Sequence, residues 1–384
     1  MVSDGVQNDG DGSLVSETAD AIVIGAGIIG ASVAWRLAQR GLQVTLIDAG
    51  QAGREASWAG AGMLAPGGEV TERTDWSIFA LHSHSLYSGF IAELEQETGC
   101  KIDYQTNGAI EIATNESEWV EIRARAEKQR ELGIESCNLD GVELSPISPR
   151  AYGGLFYPGD AVVDPRHVMR ALLAACGSRH VRVLEHTEAC GLCSTSGSVV
   201  VETKSGPLTA KVAVLAAGAW SGGIPFTSLG APRQLPGSFP VRGHLIGYRQ
   251  PATLICRMIL RNSDTYILQR SNGFIVAGTS TENVGFDRRI DPQIVADISR
   301  RAEALWPALE QAGTPEAWLG FRPRADAHQP QIGRFADSNV WLAYGHYRNG
   351  ILLAPATAER VSEEIVGLKL STSGMDLSSS GGNR

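Results

Sequence analysis

Residues 21–48, AIVIGAGIIGASVAWRLAQRGLQVTLID, decide the fold. An apolar run leads into the turn GAGIIG, a helical segment follows, and a second apolar run ends on Asp48. In such a βαβ unit Gly25 permits the tight turn, Gly27 lets the backbone approach a pyrophosphate, and Gly30 lets the helix pack close to the sheet. Asp48 is placed to accept ribose hydroxyls, so the pattern predicts an adenine dinucleotide site, with NAD and FAD both open. A purely structural glycine turn is the alternative.

The composition is that of an ordinary globular protein, with 384 residues of which 43% are hydrophobic and 20% are charged. A chain of this length forms two domains or one large α/β unit. The net charge of −9 argues against a nucleic-acid partner, because phosphate binding depends on clusters of Lys and Arg. A small anionic substrate must then be held by specific arginines.

Six cysteines are spread along the chain without a disulfide framework. Cys190 and Cys193 form an isolated CxxC that lacks a second pair, so no metal site is predicted. Residues 1–19 carry acids and no Lys or Arg, unlike a signal peptide, and the longest apolar stretch is too short to span a bilayer. We therefore expect a cytoplasmic protein without a membrane span, with disordered tails at residues 1–19 and 370–384.

Local patterns predict the elements that follow the βαβ unit. A helix is predicted at residues 75–98, and Asn107-Gly108 predicts the turn of a hairpin. Asp164-Pro165 supplies an N-cap and a first-turn proline for another helix. The apolar residues 212–216 predict a buried parallel strand that returns to the nucleotide sheet. Alternating segments within residues 235–279 predict an antiparallel sheet in a separate layer.

A second glycine-bounded turn, GHYRNG, occupies residues 345–350 between a predicted strand and a helix predicted to run through residue 366. The positive end of that helix would stabilise the negative charge that a reduced flavin carries near N1 and the C2 carbonyl. A nicotinamide has no comparable need, so the turn favours FAD. An ordinary surface turn is the alternative.

Three side chains are candidates for binding a substrate carboxylate. Arg322 and Arg348 lie in apolar segments, where a cation requires an anion, and a bidentate fork on a carboxylate satisfies that requirement. Tyr266, in the strand pattern TYILQ, would add a hydroxyl. Structural salt bridges for the arginines and a core position for the tyrosine are the alternatives. The motifs GxSxG, GxxxxGK[ST] and HExxH are absent, and no residue is predicted as a catalytic acid or base.

These motifs resemble the flavin-dependent D-amino acid oxidase superfamily, and within it the branch that oxidises glycine and serves thiamine biosynthesis. The resemblance covers residues 20–368 and is carried by GAGIIGASVAW, EASWAGAGML, LAAGAWS, GFRP and, most specifically, GHYRNGILLAPAT. With the patterns above it implies an α/β fold, in which a Rossmann-like FAD-binding domain joins a discontinuous α+β substrate domain built on an antiparallel sheet. The FAD-binding domain would comprise residues 20–95, 160–231 and 320–369, and the substrate domain residues 96–159 and 232–319.

The resemblance implies a noncovalently bound FAD, because the last cysteine, Cys256, precedes the region that carries a covalent tether in related sarcosine oxidases. Substrate carboxylate would be bound by Arg322 and Arg348, with Tyr266 assisting. The cofactor contacts that it implies, in chain order, are Gly25, Gly27, Ile28, Ile29, Gly30, Asp48, Ala49, Ala56, Ser57, Ala61, Gly62, Met63, Ala189, His346, Tyr347, Arg348, Asn349, Gly350, Ile351 and Leu352.

The activity implied is oxidative deamination of glycine and other small amines or D-amino acids to the 2-oxo acid, with ammonia or an amine and hydrogen peroxide as the other products. The imine would supply the thiazole of thiamine. A small amino acid and oxygen are the expected partners, and a homo-oligomer is left open. Two alternatives remain: a flavin amine dehydrogenase that passes electrons to a quinone or partner protein, and a catalytically silent FAD-binding protein.

Overall fold

The computed structural model describes residues 19–249, 255–326 and 329–375. Of the tail predicted at residues 1–19, residues 1–18 lie outside the described residues. Of the tail predicted at residues 370–384, residues 376–384 lie outside them. The last helix runs from Gly350 to Met375, so it includes residues 370–375 of the predicted tail.

Helices and strands alternate through the described residues. The α-helices are α1 (Ile28–Gln39), α2 (Ala56–Ala59), α3 (Pro66–Glu69), α4 (Asp75–Thr98), α5 (Glu116–Arg130), α6 (Gly141–Leu144), α7 (Pro165–Ser178), α8 (Pro292–Leu305) and α9 (Gly350–Met375). The 3-10 helices are Gly218–Gly223, Pro307–Ala312 and Tyr347–Asn349. The strands are β1 (Ala19–Ile24), β2 (Val44–Ile47), β3 (Met63–Leu64), β4 (Tyr104–Gln105), β5 (Ala109–Ala113), β6 (Cys137–Asp140), β7 (Gly153–Tyr157), β8 (Ala161–Val163), β9 (Arg182–Leu184), β10 (Ala189–Ser194), β11 (Val199–Thr203), β12 (Leu208–Leu215), β13 (Phe226–Ser228), β14 (Ala231–Arg233), β15 (Ser238–Tyr248), β16 (Ile259–Arg261), β17 (Tyr266–Gln269), β18 (Ile275–Gly278), β19 (Glu316–Ala325), β20 (Gln331–Arg334) and β21 (Val340–Tyr344).

The first sheet has the order β14-β13-β10-β11-β12-β1-β2-β9, with β21 paired to β12 and to β20. Its centre is parallel: β1 pairs with β2 and β12, and β12 pairs with β21. The strand predicted at residues 212–216 is therefore confirmed as part of β12. Strands β1, β2 and β21 are buried almost throughout, as expected for a parallel sheet covered on both faces.

The second sheet has the order β19-β15-β18-β17-β16-β5-β7-β6 and is antiparallel except where β16 pairs with β5. It contains the antiparallel segments predicted within residues 235–279. A small third sheet, β3-β8-β4, lies off both. The predicted fold class, a Rossmann-like unit joined to an α+β layer with an antiparallel sheet, is confirmed.

Helix α1 packs in the main core, where Trp35 meets Phe90 of α4 edge-on with ring centroids 5.7 Å apart. Glu97 at the end of α4 joins three helices through its carboxylate. It accepts hydrogen bonds from the indole of Trp35 in α1 at 3.2 Å and from Arg179, after α7, at 2.7 Å. These contacts hold the helix that follows the glycine turn against its neighbours.

The hairpin predicted at Asn107-Gly108 is wrong. Strand β4 before the turn pairs with β8 in the third sheet, whereas β5 after it pairs with β7 and β16 in the second. Gly108 adopts a positive φ of 83°, and its N–H donates to the carbonyl of Asp160. The turn signal is thus local and real, but the strands on either side take their partners from distant parts of the chain.

The division into domains stays a prediction. Strand β19 pairs along its whole length with β15 of the second sheet, so the predicted boundary at residue 320 falls within a strand.

Helices α4 and α7 lie where the sequence predicts them, and the carboxylate of Asp164 caps α7 by accepting from the N–H of Arg166. Within residues 19–249, 255–326 and 329–375, no helix combines the length and apolar composition needed to cross a membrane.

Candidate active site

A cavity of about 1040 Å³ lies between the first sheet and the second. It begins at the carboxyl ends of β1, β2 and β12, which is where open parallel sheets bind ligands. It then continues past His346 to the strands that carry Arg322 and Tyr266. Its volume is at the upper end of the roughly 300–1,000 Å³ typical of ligand pockets. One continuous space therefore joins the dinucleotide turn to the candidate carboxylate site.

The turn between β1 and α1 and the first turn of α1 require glycine at residues 25 and 30. Gly25 has a φ of 100°, and a Cβ there would come 2.4 Å from the carbonyl oxygen of Ala216. A Cβ at Gly30 would come 1.8 Å from the carbonyl oxygen of Gly25. The N-cap residue, Gly27, has no side chain to cap the helix, and Gly27, Ile28 and Ile29 line the cavity, so the positive end of α1 faces it.

Two side chains hold this turn from outside it. The hydroxyl of Ser57 accepts a hydrogen bond from the N–H of Ile28 at 2.9 Å. The carboxylate of Asp48 accepts from the N–H of Ala26 at 2.8 Å and from that of Gly50 at 2.9 Å. Asp48 lines the cavity, and its oxygens retain lone pairs for ribose hydroxyls. Its support of the loop was not foreseen from the sequence.

The second glycine turn forms a 3-10 helix, Tyr347–Asn349, that leads directly into α9. Gly345 has a φ of 84°, and a Cβ there would come 2.7 Å from the Cβ of Ala325. His346 is buried, and its Nε2 lies 3.0 Å from Oγ1 of Thr357. Burial lowers the pKa of His346 to about 3, so its imidazole is neutral at physiological pH. The first turn of α9 faces the cavity, as predicted from the sequence.

Arg322 projects from β19 into the cavity and is half-buried. Its guanidinium donates to the carbonyl of Ser280 at 3.0 Å and to the hydroxyl of Thr279 at 2.7 Å. Among residues 19–249, 255–326 and 329–375, no carboxylate forms an ion pair with it. Burial lowers the pKa of Arg322, opposed by the nearby Tyr266 and Tyr347, but a guanidinium stays charged at neutral pH. This cation is therefore free to bind an anion.

Tyr266 of β17 lies beside Arg322 and faces Gly278 of β18. A Cβ at residue 278 would come 2.7 Å from the phenolic oxygen, so glycine leaves room for the ring. Burial raises the pKa of Tyr266, although Arg322 and Arg348 pull it the other way. The phenol is therefore neutral and can donate a hydrogen bond.

Arg348 lines the same cavity but, unlike Arg322, forms an ion pair with an acid. Its Nη2 lies 2.6 Å from Oε1 of Glu69, and just over half of its side chain is exposed. Burial alone would lower the pKa of Arg348, but the Glu69 carboxylate outweighs it and raises that pKa. Arg348 thus forms the ion pair that was its alternative, whereas Arg322 has no acidic partner within the described residues; binding of the substrate carboxylate by Arg348 stays a prediction.

Most of the predicted site residues border the cavity. Those that line it are Gly25, Gly27, Ile28, Ile29, Asp48, Ala49, Ala56, Ser57, Ala61, Gly62, Met63, Ala189, Tyr266, Arg322, His346, Tyr347, Arg348, Asn349, Gly350 and Ile351. Gly30 does not line it, because it packs against the Gly25 carbonyl. Leu352 is buried behind the lining, where its carbonyl accepts from the hydroxyl of Ser83 at 2.7 Å.

Sequence reasoning missed several residues that shape the substrate end. Thr279 binds the guanidinium of Arg322, Gly243 lies beneath it, and Glu69 holds Arg348. None of these belongs to a motif with its own chemical signature, and each reaches the site through strand pairing or a short helix. Gly218, within the quoted LAAGAWS segment, also lines the cavity.

The fold and this cavity define a dinucleotide-binding protein of the α/β class, with an antiparallel layer closing the substrate end. Residues 20–364 match the family DAO, FAD dependent oxidoreductase, and the chain belongs to that family. The predicted family and the choice of FAD over NAD are thereby confirmed.

Individual relatives are similar over nearly the whole chain. The chain is 31% identical to the glycine oxidase of Geobacillus kaustophilus over 351 residues, covering 90% of this chain and 92% of that protein. It is 33% identical over 358 residues to the bifunctional protein ThiO/ThiG of Nostoc sp., covering 91% of this chain and 53% of that protein. The crystal structure of the glycine oxidase from Geobacillus kaustophilus superposes with a TM-score of 0.85 at 29% identity, covering 91% of this chain and 95% of that one.

Proposed function

We propose that this chain is an FAD-dependent oxidase that deaminates glycine and other small amines or D-amino acids. The observation that carries the proposal is Arg322, a half-buried guanidinium without a carboxylate partner among the described residues. It lies in the same cavity as the dinucleotide turn. A substrate carboxylate would supply the missing anion. The similarity to the glycine oxidase of Geobacillus kaustophilus, in sequence and in structure, supports the same substrate class.

The cavity fits FAD on two grounds. Its volume of about 1040 Å³ leaves room for a dinucleotide, and the helix ends of both α1 and α9 face it. Asp48, Ser57 and Ile28 would hold the adenosine and phosphate end, and the segment from His346 to Ile351 would approach the flavin ring. When bound, FAD would supply the two-electron acceptor. Side chains of the protein would bind and orient the substrate.

Arg322 and Tyr266 would bind the substrate carboxylate, the first as a charged fork and the second as a neutral donor. This anchors the substrate by its carboxylate and leaves the Cα–H free to be turned toward the cofactor, so catalysis rests on orientation. His346 is neutral and bonded to Thr357, so it does not act as an acid. A hydride leaving Cα requires no general base on carbon, in agreement with the sequence prediction.

The overall reaction balances without further partners. One amine, one oxygen and one water give the 2-oxo acid, ammonia and hydrogen peroxide, the carbon being oxidised and oxygen reduced by two electrons. Noncovalent FAD is supported by the position of the cysteines. Cys256, buried with its pKa raised by burial to about 12, does not line this cavity. Cys190 does line it, but beside Thr187, whose N–H donates to the carbonyl of Asp48 at the dinucleotide end.

A role in supplying the thiazole of thiamine belongs to the proposal. The Nostoc relative, of which the match covers 53%, is named bifunctional protein ThiO/ThiG, which supports this role. A cytoplasmic location and a homo-oligomer stay predictions; the six free cysteines support a reducing compartment. Light scattering on the purified holoenzyme measures the oligomeric state.

An anaerobic flavin-reduction screen tests the activity directly. The holoenzyme is mixed without oxygen with glycine, sarcosine, D-alanine and L-proline, and bleaching of the flavin is followed. We expect glycine to bleach the flavin. A protein that binds no FAD, or a flavin that none of the four reduces, would contradict the proposal.

A further inference from the structure

The orientation of the Arg322 guanidinium depends on the two residues that follow β18. The guanidinium donates to the carbonyl of Ser280 and to the hydroxyl of Thr279, and that hydroxyl in turn donates to the carbonyl of His244 at 2.8 Å. Strand β18 ends at Gly278, before these residues. The N–H of His244 donates at 2.8 Å to the hydroxyl of Ser280 rather than to a backbone carbonyl. Side chains therefore fix the segment that orients Arg322.

The carboxylate of Glu282 is the centre of these side-chain contacts. Its Oε1 accepts from the hydroxyl of Ser280 at 2.7 Å and lies 2.8 Å from Nδ1 of His244. The other imidazole nitrogen of His244, Nε2, accepts from the N–H of Asp291 at 3.2 Å, so the proton is on Nδ1, which donates to Glu282. Oε2 accepts from Nη2 of Arg242 at 2.5 Å. Both oxygens of the carboxylate are thus held by buried residues, His244 and Arg242.

Glu282 is ionised in this setting. Burial alone would raise the pKa of Glu282, but hydrogen bonds from Arg242, Ser280 and His244 outweigh burial and lower that pKa. Only 15% of the Glu282 side chain is exposed. A hydrogen bond to a charged carboxylate is stronger than one between neutral groups. The hydroxyl of Ser280 is therefore held more firmly than a neutral acceptor would hold it.

Arg242 fixes Glu282 from behind. The main chains of the two residues exchange hydrogen bonds, N–H to carbonyl in both directions, at 3.0 Å. The guanidinium of Arg242 also donates to the carbonyls of Asp287 at 3.1 Å and of Arg289 at 3.2 Å, farther along the connection to α8. Glu282 is therefore anchored through both its backbone and its side chain.

Strand β15 separates this network from the cavity. Gly243 lines the cavity beneath Arg322, whereas its neighbours in the strand, Arg242 and His244, project to the opposite face of the sheet. Glu282 does not line the cavity either. Glu282 is thus placed to act on a substrate through the segment that orients Arg322, and not by contact.

We propose that Glu282 is a positioning residue for substrate binding: by holding Ser280, it keeps the guanidinium of Arg322 in the orientation that receives the substrate carboxylate. The inference rests on the proposed function, because it takes Arg322 as the carboxylate ligand. Glu282 contributes to the affinity for substrate and takes no part in the chemical step. Loss of its charge should therefore raise KM and leave kcat nearly unchanged.

Steady-state kinetics of the holoenzyme with glycine test the inference. Glu282→Gln should raise the KM for glycine roughly 10-fold, the ratio that corresponds to one hydrogen bond to a charged group, and should change kcat by less than about twofold. Ser280→Ala keeps every charge of the network and should raise the KM about fivefold, the ratio for one hydrogen bond of ordinary strength. Titration of the flavin absorbance with acetate measures carboxylate affinity without turnover and should give the same ratios.

A merely structural role predicts a different result. It would lower the Tm and the FAD content of Glu282→Gln, while the remaining holoenzyme would keep the wild-type KM. Glu303→Gln is the matched control: Glu303 accepts from the hydroxyl of Ser299 at 3.0 Å on α8 and does not line the cavity. This variant should leave the KM for glycine unchanged.

A double-mutant cycle on kcat/KM measures the coupling to Arg322. Once Arg322→Ala has removed the guanidinium that Glu282 positions, adding Glu282→Gln should change kcat/KM by less than about twofold. If the effect of Glu282→Gln persists in full beside Arg322→Ala, Glu282 does not act through Arg322 and the inference is overturned.

A wild-type KM in the holoenzyme of Glu282→Gln or in Ser280→Ala would also overturn the inference. Either result leaves the proposed function intact, because the wild-type enzyme still oxidises glycine. If Glu282→Gln does not retain FAD, the KM of Ser280→Ala decides alone. A wild-type protein whose flavin glycine does not reduce would contradict the proposed function, and this inference with it.

Discussion

The guanidinium of Arg322 lies directly against Gly243: a Cβ at residue 243 would come 2.3 Å from Nη1. Gly243 belongs to β15, which pairs with the strand that carries Arg322. The missing side chain of one strand thus makes room for the charged group of the next. The geometry of the candidate carboxylate site depends on this glycine.

Gly243→Ala is expected to displace the guanidinium and to raise the KM for glycine by roughly 10- to 100-fold, because small misplacements of a binding group are costly. FAD affinity should stay within about twofold of wild type, since the three atoms nearest to a Cβ at residue 243 all belong to Arg322 and none to the dinucleotide turn. Steady-state kinetics and FAD titration measure the two effects. Gly223→Ala is the control: it lines the same cavity, and its Cβ would meet nothing within 4 Å.

Arg322→Ala removes the unpaired cation and should lower kcat/KM for glycine by roughly 30-fold or more, the cost typical of losing one member of a desolvated charge pair. Arg322→Lys should retain only part of the wild-type kcat/KM, because an ammonium group lacks the planar fork of a guanidinium. Arg249→Ala, at an exposed arginine paired with Glu316, should leave the kinetics unchanged. Wild-type kinetics in Arg322→Ala would remove the role assigned to this residue.

Ser57→Ala removes the hydroxyl that accepts from the N–H of Ile28 at the head of α1. Loss of one such hydrogen bond, worth about 1 kcal/mol, should raise the Kd for FAD roughly fivefold. Quenching of flavin fluorescence on adding FAD to the apoprotein measures this value. Ser85→Ala, whose hydroxyl bonds only to the carbonyl of His82 on an exposed surface, should have no effect. An equal rise of the Kd for FAD in both variants would contradict the role of Ser57 and indicate general destabilisation.

The lowered pKa of Glu97 predicts that the stability of the protein depends on pH. The guanidinium of Arg179, with smaller contributions from Ser178 and Trp35, lowers the pKa of Glu97 from 4.5 to about 2. A carboxyl whose pKa is depressed in the folded state stabilises the protein fully above its unfolded pKa, and this contribution is lost as the pH falls toward 2. Glu97→Gln should therefore lower the Tm at pH 7 and reduce its fall between pH 5 and pH 3.

Thermal unfolding at several pH values measures this difference. Glu93→Gln is the comparison: Glu93 lies on α4 like Glu97 and pairs with Arg36 of α1, but its side chain is 41% exposed against 13% for Glu97, and exposed carboxylates contribute little. We expect a smaller change in the pH dependence for Glu93→Gln than for Glu97→Gln. Parallel curves for wild type and Glu97→Gln would show that this carboxylate does not couple stability to pH.

Local signals account for the parts of the structure that could be predicted from the sequence. Gly25 and Gly30 adopt their roles within one turn, and Asp164 caps the helix that it precedes. Arg322 could be proposed as a carboxylate ligand, because a cation among apolar neighbours requires an anion wherever its strand lies. Each of these inferences depends on residues close together in the chain.

The parts that could not be predicted depend on distant pairings. Asn107-Gly108 carries a hairpin signal, but its flanking strands find partners in two different sheets. Arg348 pairs with Glu69, which lies 279 positions earlier in the chain, and no spacing rule relates the two. Thr279 reaches Arg322 from 43 positions away. Burial and strand register decide such contacts, and neither leaves a motif in the sequence.

The most direct test of the account measures oxygen consumption and hydrogen peroxide formation by the purified holoenzyme with glycine. We predict one peroxide and one ammonia for each oxygen consumed, with the signal reduced strongly in Arg322→Ala although FAD remains bound. Reduction of the flavin by glycine without peroxide would indicate a dehydrogenase instead. No oxygen uptake and no flavin reduction would contradict the central claim that the Arg322 cavity oxidises a small amino acid.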